Sequence, residues 1–312
     1  MNCAVTGGAG FIGSNLVDAL IARGDRVTVI DDLSSGKLEN LQAALAAGAR
    51  LHRVDVRDAR ALAAVLDAER PHTVFHLAAQ IDVRRSIEDP AGDAAVNLLG
   101  AINVLEAAHA AGVRRLVNSS TGGGLYGDAE LLPTPEHHPI RSLAPYGQSK
   151  LAAEGYCDLY GRLHQLSTVS LRYGNVYGPR QDVHGEAGVV AIFCGCLIGG
   201  STPQIFGDGR QTRDWVDVAD VVAANLLAAD APVSGPLNIA GGRETSVLEL
   251  VDALSGLGAD RGVELLPPRF LPARAGEVSR SRLDISRAAG ELGWRPTVTL
   301  LQGLERVLSG LL

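Results

Sequence analysis

Tyr146 and Lys150 stand four residues apart in Tyr-Gly-Gln-Ser-Lys. On a helix that spacing places both on one face. Such a pair can move a proton. An ammonium beside a phenol favours the phenolate, so Lys150 is expected to lower the Tyr146 pKa toward neutrality. A strand-like run over 115–119 leads into Ser119-Ser120-Thr121. A hydroxyl there can hold the substrate oxygen whose proton Tyr146 exchanges. Thr121 is the first choice and Ser120 the alternative, because Gly122, Gly123 and Gly124 leave the register open by one residue.

The chain begins with a second chemical signal. The strand-like run over 2–6 ends in Thr-Gly-Gly-Ala-Gly-Phe-Ile-Gly-Ser, in which Gly7, Gly10 and Gly13 form G-x-x-G-x-x-G. A turn this tight needs residues without Cβ, and it lets backbone approach a pyrophosphate while a helix packs close to the strand. The helix N-terminus then offers its amides and positive dipole end to the phosphates. The next strand, over 26–30, ends at Asp31, placed to accept hydrogen bonds from an adenosine ribose. A 2′-phosphate would meet Asp31 and Asp32 there, so NAD is favoured over NADP, with Lys37 the nearest cation. Asp55, closing the third strand, has two readings: reaching the adenine edge, or capping the helix that follows.

The elements that must position these residues alternate. Strands over 2–6, 26–30, 50–54, 73–77, 115–119 and 167–172 are separated by helical patterns over 14–23, 58–69, 93–111 and 146–163. This predicts an α/β fold, a Rossmann-type doubly wound parallel sheet with helices on both faces. After Arg172 glycine and proline become frequent and elements shorten. The chain is therefore divided into a dinucleotide-binding domain over 1–172 and a smaller C-terminal α/β substrate domain over 173–312, with 212–240 returning to the main sheet.

Composition limits the partners. The 312 residues carry a net charge of −7. That opposes non-specific nucleic-acid binding, since no basic surface is available. No apolar run suits a membrane span, and no basic, apolar leader precedes the first strand, so the cytoplasm is expected. The four cysteines, Cys3, Cys157, Cys194 and Cys196, have neither disulfide-framework nor metal-ligand spacing. Buried thiols are expected, and no metal.

TGGAGFIGS, Asp31, HLAAQ over 76–80, SST over 119–121, YGQSK, LRYGNVYGPR over 171–180, RDWVDVAD over 213–220 and RAGEV over 274–278 occur in order along nearly the whole chain. Together they resemble the extended short-chain dehydrogenase/reductases, specifically the NAD-dependent nucleotide-sugar epimerase/dehydratase family. The resemblance implies a bound NAD touched by Gly7, Gly10, Phe11, Ile12, Gly13, Asp31, Asp32, Asp55, Val56, Leu77, Ala78, Ala79, Asn97, Tyr146, Lys150 and Tyr173. It implies that Thr121, Tyr146 and Lys150 are catalytic, with Tyr146 taking the sugar 4-hydroxyl proton as NAD takes the C4 hydride. It places the nucleotide sugar against Thr121, Tyr146, Asn175, Arg213, Arg274 and Glu277. Arg213 otherwise has a salt bridge with Asp214 or Asp217 as its reading, and Arg274 a solvated loop. Ile205 and Phe206 suit either a base pocket or a core strand. Arg180 suits either a substrate carboxylate or a general loop position. Relatives in this family pair through helices corresponding to 93–111 and 146–163, which implies a homodimer.

Relatives that eliminate water or carboxylate carry an acid just after the catalytic threonine. Here glycines stand there, which points to 4-epimerisation of a UDP-hexose. Ser281 takes the position of a gatekeeper beside the sugar ring, and its small size leaves room for an N-acetyl group. The alternatives are a UDP-glucuronate 4-epimerase, a dehydratase or 4-ketoreductase on another nucleotide sugar, and a non-catalytic dinucleotide sensor. Ile81 departs from the lysine of one epimerase subgroup.

Overall fold

The central strands are buried on both faces: Cys3–Thr6 of the first and all four residues of Thr73–His76. Runs of this kind are stable only inside a sheet covered on both sides. The computed structural model describes residues 1–182, 188–273 and 278–311. The first half contains β1 (Asn2–Thr6), α1 (Phe11–Ala22), β2 (Arg26–Ile30), α2 (Gln42–Ala46), β3 (Arg50–His52), α3 (Ala59–Glu69) and β4 (Thr73–His76). Then come α4 (Val83–Glu88), α5 (Pro90–Ala94), a π-turn at Ala95–Leu99, α6 (Gly100–Ala110), β5 (Arg115–Thr121), α7 (Pro145–His164) and β6 (Ser167–Tyr173). The second half adds β7 (Asn175–Tyr177), α8 (Val189–Gly199), β8 (Gln204–Phe206), β9 (Thr212–Arg213), β10 (Trp215–Asp217), α9 (Val218–Asp230) and β11 (Gly235–Ile239). It closes with β12 (Thr245–Ser246), α10 (Val247–Ala259), β13 (Arg269–Leu271), α11 (Ser286–Glu291) and α12 (Leu300–Leu311).

The main sheet has seven parallel strands in the order β11-β6-β5-β4-β1-β2-β3. The chain moves outward from β1 to β3, then crosses back to β4 on the other side of β1. This reversal opens a crevice beyond the carboxyl ends of β1 and β4, where ligands of such sheets sit. Leu16 and Leu20 of α1 pack with Val221 of α9 on one face, and Leu62, Leu66, Val104 and Leu105 of α3 and α6 cover the other. A separate cluster joins α8, α10 and α12 through Phe193, Leu197, Leu254 and Leu308, with Tyr177 of β7 inserted into it.

Three boundaries differ from the sequence reading. α1 begins at Phe11 rather than near 14, because Gly10 with extended φ −75 and ψ −178 serves as its N-cap. The helix expected over 93–111 is broken by the π-turn, which sets Asn97 inward. Within 212–240 only β11 enters the main sheet; β9 pairs with β12, and β10 with β7. Among the described residues no helix is long and apolar enough to cross a membrane, and no cluster of histidine, cysteine or acidic side chains suits a metal. All four cysteines are free thiols, three of them buried.

The C-terminal segment is tied back by one buried carboxylate. Asp220 of α9 accepts from Thr297 N, Thr297 Oγ1 and Val298 N at 2.9, 2.8 and 3.0 Å. Its carbonyl accepts from Trp294 Nε1 at 2.9 Å. Asp220→Ala strands the Thr297 and Val298 donors, keeps the Trp294 bond to the main-chain carbonyl, and is expected to lower folding stability by about 3 kcal/mol. A chemical-denaturation midpoint unchanged from the parent would refute that weight.

Candidate active site

Gly7 and Gly13 are required by close approach. A Cβ on Gly13 would lie 2.1 Å from the Gly7 carbonyl oxygen, and one on Gly7, whose φ is +68, would lie 2.6 Å from Ala78 N. The glycine turn thus packs on the Leu77-Ala78 backbone that leaves β4. A Cβ on Gly10 would meet only the Gly7 carbonyl, at 3.2 Å, so Gly10 faces open space. α1 has no side-chain cap and no acid in its first turn, which leaves the amides of Phe11, Ile12 and Gly13 for an anion. Asp31 is buried at the end of β2, and accepts from Ala9 N and Leu33 N, both at 2.9 Å. Burial pushes its carboxyl pKa up, and those two bonds oppose the push. Asp32 lies beside it and holds Ser34 N at 2.9 Å. This cradle fits a dinucleotide.

Asp55 is not the helix cap, because Asp58 caps α3 by accepting from Ala61 N. The Asp55 carboxylate pairs with Arg57, whose hydrogen bond lowers its pKa. Val56 packs its side chain in the core and gives its carbonyl to Asn103 Nδ2 at 2.9 Å, so what it offers a ligand is backbone. Ala79 is half-buried in the same stretch as Leu77 and Ala78.

Strand alternation resolves the hydroxyl. Ser120 turns to the opposite face and donates to buried Glu154. Thr121 stays beside Tyr146: a Cβ on Gly124 would lie within 3.4 Å of Thr121 Oγ1 and Tyr146 Cε1. Lys150 is buried and donates to the Ser119 carbonyl at 3.1 Å. The expected lowering of the Tyr146 pKa is not what the protein alone produces. Burial pushes that phenol up to about 12; the Thr121 hydroxyl pulls the other way, and the charge of Asp93 pushes further up. Burial brings Lys150 down to about 8. The lysine is directed at a carbonyl rather than at the phenol, which explains the difference. His76, buried and bonded to Thr6 Oγ1 at 2.8 Å, is pushed down to about 3 by burial and the nearby lysine, so it is neutral.

Two networks around this pair were not foreseen. Arg172 and Glu154 form a buried ion pair at 2.6 Å that joins β6 to α7. Arg172 also donates to Tyr126 Oη and the Glu136 carbonyl. Asp93 is buried and accepts from Gln80 Nε2, Asn97 Nδ2 and Ser149 Oγ. The one signal for either was a charged residue at a position the helical and strand patterns bury.

The remaining expected residues divide. Asn175 lies at the Gly123 backbone, and its buried Oδ1 has no hydrogen-bond partner among the described residues. Nor has the buried Nε1 of its register partner Trp215. Arg213 donates to the Thr212 and Val278 carbonyls. Asp214 and Asp217 are engaged elsewhere, by Leu283 N, and by Ala219 N with Arg306. Ile205 is core and Phe206 is partly exposed. Ser281 is buried in the segment that runs to Leu283, whose side chain crowds Gly122. Arg274 and Glu277 lie outside the described residues.

Three of the expected residues have intramolecular partners. The Tyr173 side chain points into the core, bonded to Asn225 of α9, because it alternates with Arg172; its carbonyl holds Gly122 N at 2.7 Å. Asn97 spends its amide on Gln80 and Asp93 and its oxygen on Gln80 N, so it shapes the loop rather than presenting a free amide. Arg180 pairs with Asp18 of α1.

A family profile described as "NAD dependent epimerase/dehydratase family" matches residues 3–240. The UDP-glucose 4-epimerase of Mycolicibacterium smegmatis is 46% identical over 312 residues, covering 99% of this chain and 97% of that protein. The fold superposes with a TM-score of 0.95 on the UDP-glucose 4-epimerase of Thermotoga maritima solved with UDP-glucose, at 43% identity over 100% of this chain and 98% of that one. The Thermus thermophilus UDP-glucose 4-epimerase in complex with NAD gives 0.91 at 41% identity, over 99% and 98%.

Glu154→Leu leaves the Arg172 guanidinium buried without its anion. It is expected to cost about 3–5 kcal/mol of stability, and Glu154→Leu with Arg172→Leu less than either single change. Denaturant titration of the three variants checks this; a double variant weaker than both singles would count against it.

Proposed function

The chain belongs to the NAD dependent epimerase/dehydratase family, and we propose that it interconverts UDP-glucose and UDP-galactose by 4-epimerisation. The observation that carries this reading is local. Thr121 and Tyr146 share one face at the mouth of the crevice, and the residues that follow Thr121 are glycines rather than an acid able to drive elimination. The identity of the sugar and base follows the relatives.

NAD, when bound, supplies an acceptor for the C4 hydride and later the same hydride as donor. The chain supplies the proton chemistry. Tyr146, as the phenolate that the positive charge of bound NAD would favour over the neutral phenol, accepts the 4-hydroxyl proton as the C4–H bond gives up its hydride, which leaves a 4-keto sugar. Thr121 donates a hydrogen bond to the same oxygen. After the ring turns over, the hydride returns to the other face of C4 and Tyr146 returns the proton. The sugar is first oxidised and then reduced, so no net oxidant is consumed. Lys150 has one of its three N–H groups on Ser119, leaving two for ligand hydroxyls.

The cradle of Gly7, Gly10 and Gly13 with the α1 amides takes the cofactor diphosphate, and Asp31 the adenosine ribose. Asn175, Trp215 and Arg213 surround the substrate diphosphate, supported by the Trp215 Nε1 donor, which is buried without a partner among the described residues. Arg274 and Glu277 are proposed to act with them. Phe206 lies against the base, and Ser281 leaves room at C2 of the sugar. In this reading residues 1–172, completed by β11 from 212–240, hold the cofactor, and 173–312 hold the substrate. The protein works in the cytoplasm, which suits four free thiols. It acts as a homodimer through α5–α6 and α7. Leu99 and Leu163, each more than half exposed on that face, support this.

Incubation with UDP-glucose, UDP-N-acetylglucosamine or UDP-glucuronate, followed by proton NMR at C4, tests the reaction. UDP-galactose is expected from the first, and Tyr146→Phe is expected to slow it by at least ~100-fold. No epimer from any of the three with NAD supplied would sink the proposal. Leu163→Glu is expected to convert the dimer to monomer in sedimentation; a parent that already sediments as a monomer would refute the dimer.

A further inference from the structure

Asp93 is a carboxylate, 2% exposed, that the proton chemistry of Tyr146 and Thr121 does not use. Its three hydrogen-bond donors are all neutral, and among the described residues no cation touches it. Each bond leads to a different part of the site. Gln80 follows the Leu77–Ala79 stretch that borders the glycine turn. Asn97 sits in the π-turn. Ser149 lies on α7 between Tyr146 and Lys150. Asp93 is therefore the point where the loop after β4 and the Tyr–Lys helix are fastened together.

The surrounding charges isolate its role. The groups whose charge Lys150 meets are Glu154 and Cys157 from its own helix, His76 from β4 and Asp93 from α5. Glu154 is already neutralised by Arg172. His76 is neutral, at about 3. Burial pushes the Cys157 thiol and the Tyr146 phenol up to about 12, so in the protein alone neither is an anion beside Lys150. Among the described residues, Asp93 remains the one anion acting on Lys150 without a cationic partner of its own. Burial works against the ammonium, and Asp93 is the largest influence that supports it.

We propose that Asp93 is a positioning residue for the Tyr146–Lys150 pair: its buried carboxylate registers α7 against the Gln80 loop and supplies the negative charge that holds Lys150 as an ammonium. This rests on the placement of Tyr146 and Lys150 as the reacting pair. Removing an anion lowers the pKa of every nearby group. Asp93→Asn therefore moves the titration of both Lys150 and Tyr146 toward acid.

The chain contains only two lysines, Lys37 and Lys150. Protein labelled with ¹³C-lysine therefore gives one exposed reference signal and one site signal, and needs no substrate. In Asp93→Asn the Lys150 midpoint is expected to fall by about one pH unit while Lys37 does not move. Asp93→Glu is expected to restore it, and Ser149→Ala, which keeps the charge, to leave it in place. Asp93→Ser serves the same purpose if the asparagine variant does not fold. The pH–rate profile of epimerisation is expected to move toward acid by the same amount. An unmoved Lys150 midpoint, or a rate lowered equally at every pH, would overturn the proposal. Absence of epimerase activity in the parent, with the lysine midpoint displaced, would leave Asp93 its charge role and remove the reaction assigned to the pair.

Discussion

The buried ion pair between Arg172 and Glu154 is the contact on which the site's geometry rests. It spans the gap between β6 and α7, and through Ser120 it reaches β5 one residue from Thr121. A buried pair of charges is weak evidence of stability, since desolvation offsets much of its attraction. Its strength is directional. A guanidinium fork accepts a carboxylate in few geometries, so α7 is fixed in rotation and height against the sheet. Tyr146 and Lys150 lie two turns and one turn before Glu154, and inherit that placement. An apolar seam would hold the helix as tightly and locate it less sharply.

Much of the fold was legible because a parallel sheet covered on both faces leaves a strong mark: short apolar runs, then helical patterns, with glycine at the turns. Tyr146, Lys150 and the glycine turn were legible for a related reason. Their spacing is dictated by a helix face and by backbone contact, both local. Thr121 against Ser120 was a question of parity along β5, and parity is set by which face is buried, so it waited for the sheet.

What stayed illegible depends on contacts distant in sequence. Tyr173 was placed by motif, but its phenol follows strand alternation into the core and meets Asn225. Arg180 met Asp18, a partner on the first helix. Asp55 and Asp58 are nearly equivalent in sequence, and the helix start decided which one caps. The Lys150 effect on Tyr146 failed as an expectation because helical spacing fixes a face and says nothing of what else competes for the ammonium, here the Ser119 carbonyl. Asp93 and Glu154 carried the same signal, a charge where burial was predicted, and that signal acquires meaning only once partners are known.

The paired strands β7 and β10 have a consequence for the life of the protein in a cell. At their crevice end Asn175 Oδ1 and Trp215 Nε1 are buried with hydrogen-bonding capacity unspent. A polar atom withheld from water without a partner carries a free-energy cost. A ligand that partners both atoms offsets that cost and stabilises the folded chain by mass action. Between turnovers at low ligand supply, the fraction of chains open to proteases is therefore at its largest.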